Sequence, residues 1–274
     1  MSHISREFTK VLFQKRTYFG WVGLFIVPFI ITVAIRFTAH PSGGGGNANQ
    51  GPEFFFNLIT SNGFYVAIGS LMALITFLLP LLAAMAGSQT IAGEAENGTL
   101  RSVLMQPVRR GSVLLGKWFV ANLYIAIGLI VLFLGSIIAG GAIYGLHSTI
   151  LLSGQTVSVS HTLWLLLLAY AFTLLGMAAV VSLAVALSTL TNSGLTAMAA
   201  ALVLVIIMII LGSLSVFDFL RPYLFTSRFD AVIDFFSSPI TWVPIRNAVI
   251  TFAIWIVGMT GIAWLVFRRR DILS

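Results

Sequence analysis

No cysteine occurs in the 274 residues, and charged side chains make up only 8% of them. The first absence excludes disulfides, thiolate metal ligands and a cysteine nucleophile. The second excludes an ordinary water-soluble domain, which carries about 25% charge. What fills the space is apolar: 58% of residues are hydrophobic, and the mean hydropathy is +1.02. Apolar side chains cannot cover a soluble exterior of this size without aggregating. A soluble enzyme, a disordered tail and a fibrous protein are thereby ruled out, which leaves an integral membrane protein. The net charge of +7 points to topology and anionic lipid rather than nucleic acid, because the basic residues sit between apolar runs.

A helix needs about 20 predominantly apolar residues to span the hydrocarbon core, where only hydrogen-bonded backbone is tolerated. Six stretches qualify: Phe19–Phe37, Phe64–Gly87, Phe119–Ile143, Leu163–Leu187, Gly194–Val216 and Ala248–Phe267. Only the polar turn Ser188–Ser193 separates the fourth from the fifth, so this pair forms a helical hairpin. A retained first helix is expected rather than a cleaved signal peptide, since the basic segment is long and the apolar run exceeds the usual signal length. Lys and Arg set the orientation. Arg6, Lys10, Lys15, Arg16, Arg101, Arg109, Arg110, Lys117, Arg268, Arg269 and Arg270 share one side if both termini are cytoplasmic. Arg36, Arg221, Arg228 and Arg246 fall on the other side. Six spans in the cell membrane with both ends inside satisfy this distribution.

The spans hold essentially no ionisable side chain, which argues against a proton- or sodium-coupled secondary transporter, where intramembrane charge carries the coupling. His3, His40, His147 and His161 all lie outside the spans, so an intramembrane metal or Ser/His enzyme has nothing to build on. A non-catalytic structural subunit stays open, because small-residue positions such as Ala178, Ser182 and Ala186 indicate only close helix contacts.

Outside the membrane, residues 1–18 place Ile4, Phe8, Val11 and Leu12 on one helical face and Arg6, Glu7, Lys10 and Gln14 opposite, the pattern of an interfacial helix. The first outer loop contains four consecutive glycines, Gly43–Gly46, and is flexible linker. The second, about Tyr144–Thr162, carries His147 and His161, too few ligands for a metal. The third, residues 217–247, interleaves Asp218, Arg221, Arg228, Asp230 and Asp234 with Phe219, Tyr223, Phe225, Phe229, Phe235 and Phe236. A solvated loop would not be so aromatic. Short re-entrant or amphipathic helices fit it, with Pro222, Pro239 and Pro244 as breaks, and those five charged residues are candidates for an outer gate.

Residues 88–118 form the one sizeable internal loop. Gly98 can end a helix leaving the membrane, Thr99 can cap a new short one, and Pro107 stops it before the next begins near Ser112. The result is a short charged helix beneath the membrane, on which a cytosolic partner could push. Gly111–Lys117 imitates the start of a phosphate-binding loop, but Trp118 stands where Ser or Thr is needed and no strand precedes it.

The stretch GEAENGTLRSVLMQPVRRGSVLLGK resembles the permease subunits of type-2 ABC transporters, the exporter class, through Glu94, Glu96, Gly98, Thr99, Leu100, Pro107, Arg110 and Lys117. The ending Phe267–Ile272 resembles that of the same permeases, and the plan of the chain matches along nearly its whole length. The resemblance implies one all-α permease domain over residues 1–274. It would hold six transmembrane helices, an N-terminal interfacial helix, a cytoplasmic coupling helix and an outer re-entrant segment before the last helix. It also implies a coupling site at Glu94, Glu96, Gly98, Thr99, Leu100, Arg101, Pro107, Arg110 and Lys117 that docks on an ATP-binding-cassette ATPase. ATP and Mg would be held by that separate chain, with no cofactor, metal or catalytic residue on this one. A second permease copy or similar subunit and membrane lipid complete the expected partners. The cargo would be amphipathic or hydrophobic, such as a drug, a peptide antibiotic or a lipid-like molecule.

Overall fold

The computed structural model describes residues 15–38, 62–96, 98, 110–150 and 155–269. The expected interfacial helix up to residue 14 and the glycine run lie outside the described residues, as do Thr99, Leu100, Arg101, Pro107 and residues 270–274.

The described chain is nearly all helix. In order it forms α1 (Lys15–Thr38), α2 (Phe64–Ile75), α3 (Leu78–Ser88), the short α4 (Ala92–Glu96), α5 (Arg110–Tyr144), α6 (Val159–Leu190), α7 (Gly194–Ser213) and α8 (Trp242–Arg269). Five of these are long and apolar enough to cross a membrane, or six spans result if α2 and α3, bent by 56° at their junction, count as one. The chain is therefore an integral membrane protein. The long helices follow from continuous apolar sequence whose backbone groups can bond only within the helix.

Three boundaries differ from the hydropathy reading. α5 begins at Arg110, nine residues before the apolar run, because Arg110–Trp118 contains no proline and buries Val113 and Leu114 as it continues the span. α8 begins at Trp242 and takes Pro244 into its first turn, where proline's missing N–H has no helical acceptor to serve. Pro244 is therefore not a break. The third is Pro80, which falls in the first turn of α3 and divides the second span. The expectation of a purely α fold is also amended. Two-residue strands β1 (Thr149–Ile150) and β2 (Thr156–Val157) pair antiparallel, Thr149 with Val157 and Ile150 with Thr156, as β-branched residues favour.

α6 is the central pillar and packs against α8, α3, α7 and α5. Residues along its whole length are buried, including Ala178, Ser182 and Ala186. Small residues let backbones approach. A Cβ added at Gly87 would stand 2.7 Å from the Ala184 Cβ and 2.8 Å from the Val181 carbonyl oxygen. At the other end of the bundle, a Cβ on Gly140 would run into the Gly63 carbonyl oxygen, so α5 and the start of α2 depend on both glycines. Several polar groups inside are paired between helices. Ser70 and Ser136 share a hydrogen bond of 2.7 Å, the Tyr170 hydroxyl donates to the Ala67 carbonyl (3.2 Å), and Trp118 Nε1 donates to Ser182 Oγ (2.8 Å).

The segment before α8 contains 3₁₀ helices at Ser215–Phe217 and Thr226–Phe236. Its aromatics divide sharply. Phe225, Phe229, Phe235 and Phe236 are buried, whereas Phe219 and Tyr223 are 68% and 72% exposed. Phe225 meets Trp255 of α8 edge-on at 5.1 Å, and Phe235 meets Phe172 of α6 at 5.6 Å. The longer 3₁₀ helix is thus wedged into the bundle between α6, α7 and α8.

Candidate functional site

The described part of the internal loop is built around α4, which lies under the bundle. α3 ends at Ser88, and Thr90 turns the chain by donating its hydroxyl to the Gly87 carbonyl (2.6 Å). The same hydroxyl lies 3.3 Å from Ser188 Oγ near the end of α6. Gly98, with φ of +67°, then closes α4, its N–H donating to the Ala95 carbonyl (3.1 Å). Glycine is the residue that takes this left-handed conformation without strain.

Two carboxylates of α4 reach different helices. Glu94 Oε1 lies 2.7 Å from Lys117 Nζ on α5, and both side chains are shielded, 8% and 3% exposed. Glu96 Oε2 accepts the backbone N–H of Gly194, the first residue of α7, at 2.8 Å. Ser193 precedes α7 without capping it through its own side chain. The cap therefore comes from another element, and a carboxylate there also suits the positive end of the helix dipole. Gln89 packs into the same corner, since a Cβ on Gly194 would fall 2.7 Å from Gln89 Nε2. One five-residue helix thus grips α5 by an ion pair and α7 by a cap, while the turn before it touches α6.

Among the sequence-selected residues, the structure brings together Glu94 and Lys117, and sets Glu96 and Gly98 on the same short element. Thr99, Leu100, Arg101 and Pro107 lie outside the described residues, and Arg110 is the first residue of α5. Gly111–Lys117 is helical throughout. A phosphate cradle requires free backbone N–H groups, and the amine of Lys117 is engaged by Glu94. Sequence reasoning missed Gly194, Thr90 and Ser188. Their signal was faint: the Ser188–Ser193 turn was visible as a polar hairpin, but not as a docking site for α4.

The candidate gate residues do not form one cluster. Asp218 and Arg221 pair at 3.8 Å, 62% and 58% exposed, a geometry worth about 1 kcal/mol or less. Arg228 donates to the Pro222 carbonyl (3.3 Å) rather than to Asp230, and Asp234 accepts from the Thr241 hydroxyl (2.9 Å). Thr226 Oγ1, Ser227 Oγ and Arg228 Nε are buried without a hydrogen-bond partner. Buried polar groups are normally paired, so three in succession mark this as a conformation with unused bonding capacity.

Residues 4–272 match the family described as ABC-2 family transporter protein. The chain belongs to that family. Over 64 residues the permease is 42% identical to the probable ABC transporter permease protein NosY of Stutzerimonas stutzeri, and 41% identical to the protein of the same description from Pseudomonas aeruginosa. Each match spans 23% of this chain and 23% of the relative, so the relatives are matched over less than a quarter of their length. Family membership makes the chain the membrane-spanning permease component of an ABC transporter, a part that carries transport.

Proposed function

We propose that this permease is the membrane half of an exporter that moves an amphipathic or hydrophobic molecule outward. ATP would be hydrolysed by a separate ATP-binding-cassette chain that holds the nucleotide and its Mg. The observation that carries the reading is the α4 junction, where Glu94 and Glu96 tie the base of the internal loop to α5 and α7. A partner that displaces the loop therefore displaces two spans directly. Residues 88–118 are the coupling region of a single permease domain over 1–274, with an interfacial helix at 1–18 and an outer segment at 217–247. One such domain makes half a pathway, and a second copy or a similar subunit supplies the other half. The apolar character of the spans suits a drug, a peptide antibiotic or a lipid-like cargo. The similarity to probable ABC transporter permeases supports the class.

Orientation is tested through the natural absence of cysteine. A single cysteine in place of Ser102 should stay unlabelled by a membrane-impermeant thiol reagent in intact cells and react once they are permeabilised. Labelling in intact cells would place the loop outside and refute both coupling and topology.

The outer segment acts in the proposal as a gate. Support comes from the orphaned Thr226, Ser227 and Arg228 groups, which a second arrangement of the 3₁₀ helix can satisfy. Arg228→Gln and Asp230→Asn are expected to change the transport rate while the ATPase stays bound. Unchanged export with altered folding yield would reduce the segment to packing.

A further inference from the structure

α8 is packed firmly at both ends and held loosely between them. Its buried residues are Ile245, Ala248, Thr251 and Phe252 toward the outer end, and Ala263 and Phe267 toward the inner end. From residue 253 to residue 262 none is buried. The helical stripe that joins the two ends passes through Ile256 and Met259, which are only half-buried. α6, against which α8 lies, shows no such gap.

The two ends are held by different parts of the molecule. The outer half carries the outer segment. Trp255 Nε1 donates to the Tyr223 carbonyl (2.8 Å), the Trp255 ring meets Phe225 at 5.1 Å, and Phe252 contacts both Phe172 of α6 and Phe229. The inner half touches the exit of the internal loop. The Trp264 indole lies so close to Gly111, the second residue of α5, that a Cβ there would stand 2.8 Å from Trp264 Nε1. The Arg268 guanidinium covers the Trp264 ring at 5.5 Å. Trp255 and Trp264 are nine positions apart, about 14 Å along the helix. Gly258 and Gly261 fall inside that interval. A Cβ at either would meet nothing within 4 Å, so no packing inside the chain calls for glycine. Glycine instead gives a helix the backbone freedom at which long helices kink. Close helix contact is the other use of small residues in membranes, but it takes them four apart. Here they are three apart, and Val257 and Ile262 occupy the positions that would complete either pair.

We propose that α8 bends at Gly258–Gly261 during the transport cycle. The hinge lets its inner half follow the start of α5 while its outer half stays seated on α6 and the outer segment. The inference rests on the reading of residues 88–118 as the coupling region. Displacement of that loop by the ATPase moves Gly111, and Gly111 moves Trp264, which positions the inner half of α8. The helix bends where the fewest buried contacts are lost. A bend of about 20° carries residue 269, about 14 Å beyond the glycines, by roughly 5 Å. α8 thereby joins α5 and α7 as a span that the loop moves, and the hinge keeps that movement from pulling the outer segment out of the bundle.

The test uses the full-length chain with its ATPase in lipid bilayers, where the absence of cysteine lets spin labels be placed in chosen pairs. Leu190→Cys with Arg269→Cys reports the inner ends of α6 and α8, and Trp164→Cys with Val243→Cys reports their outer ends, all four positions being exposed. Labelled chain is mixed into an excess of unlabelled chain, so that the distances read lie within one copy. With ATP and vanadate the inner distance should shift by about 3–5 Å and the outer one by about 1 Å or less, as for a helix bent at the glycines. Gly258→Ala with Gly261→Ala stiffens the helix without a clash, and should cut the inner shift and the export rate several-fold while the ATPase stays bound. Trp264→Ala releases the inner half from Gly111 and should remove the inner shift as well. Equal shifts of both pairs, or an inner shift that survives the double-alanine or the Trp264→Ala change, would overturn the hinge. Loss of co-purification between two differently tagged copies of the double-alanine chain would overturn it in favour of a glycine face that seats a second permease. ATP-dependent export with a constant inner distance rejects the hinge and leaves the coupling reading standing. Failure of the unaltered chain to accelerate its ATPase rejects the reading itself.

Discussion

Replacing Glu94 with Gln should destabilise the permease by about 3–5 kcal/mol, the usual cost of removing one member of a buried ion pair. The partner, Lys117, is 3% exposed and 2.7 Å away, so its ammonium loses an adjacent opposite charge in a place that water hardly reaches. Gln preserves shape but not charge. The corresponding change at Glu96 should cost only about 1 kcal/mol, because its neutral amide oxygen can still accept from Gly194 at the α7 N-terminus. Thermal unfolding in detergent, read as the fraction that stays monodisperse, separates the two. The double replacement Glu94→Leu with Lys117→Met should recover most of the loss, since apolar groups of similar volume replace a buried pair at little cost. An E94Q protein as heat-resistant as wild type would show that the pair contributes nothing to the fold.

Phe252→Ala is the second large effect, at the opposite end of the molecule. Phe252 is fully buried, its ring 5.3 Å from that of Phe172 and 6.1 Å from that of Phe229. It joins α6, α8 and the outer 3₁₀ helix. A buried Phe→Ala change in a soluble core costs about 3–5 kcal/mol through transfer and cavity terms together. Lipid tails solvate a ring about as well as a protein interior does, so the packing share remains and about 2–4 kcal/mol is expected here. Phe219→Ala, at a ring 68% exposed, should move stability by about 0.5 kcal/mol or less. Equal effects of the two changes in the same unfolding assay would mean that the outer segment is not wedged into the bundle.

The spans were legible because lipid imposes one rule on the backbone, and a run of apolar residues reports it directly. The break in the second span was missed, although Pro80 stands in the middle of the apolar run and a proline there interrupts the ladder. Hydropathy averages over it and returns one helix. The resemblance singled out Glu94, Glu96 and Lys117, and nothing in the sequence paired them. Glu94 and Lys117 are 23 positions apart, and the burial that makes their contact matter arises only when α4 folds under α5 and α7. Both carboxylates therefore looked like partly exposed docking charges, whereas one is an internal strut and the other a cap. The outer aromatics show the same limit. Phe225 and Phe229, then Phe235 and Phe236, turn inward, while Phe219 and Tyr223, in the same run, do not. Composition marked the segment as interfacial, but which rings point inward depends on α6 and α8.

The coupling role of the α4 junction is tested most directly by ATP hydrolysis of the partner ATPase in lipid, with and without this permease. The wild-type chain should co-purify with the ATPase and accelerate hydrolysis. The E94L/K117M protein, further altered by Glu96→Gln, should insert and remain folded yet lose that acceleration, because α4 no longer holds α5 and α7 through charge. Wild-type acceleration and wild-type retention of the ATPase in the triple variant would contradict the account.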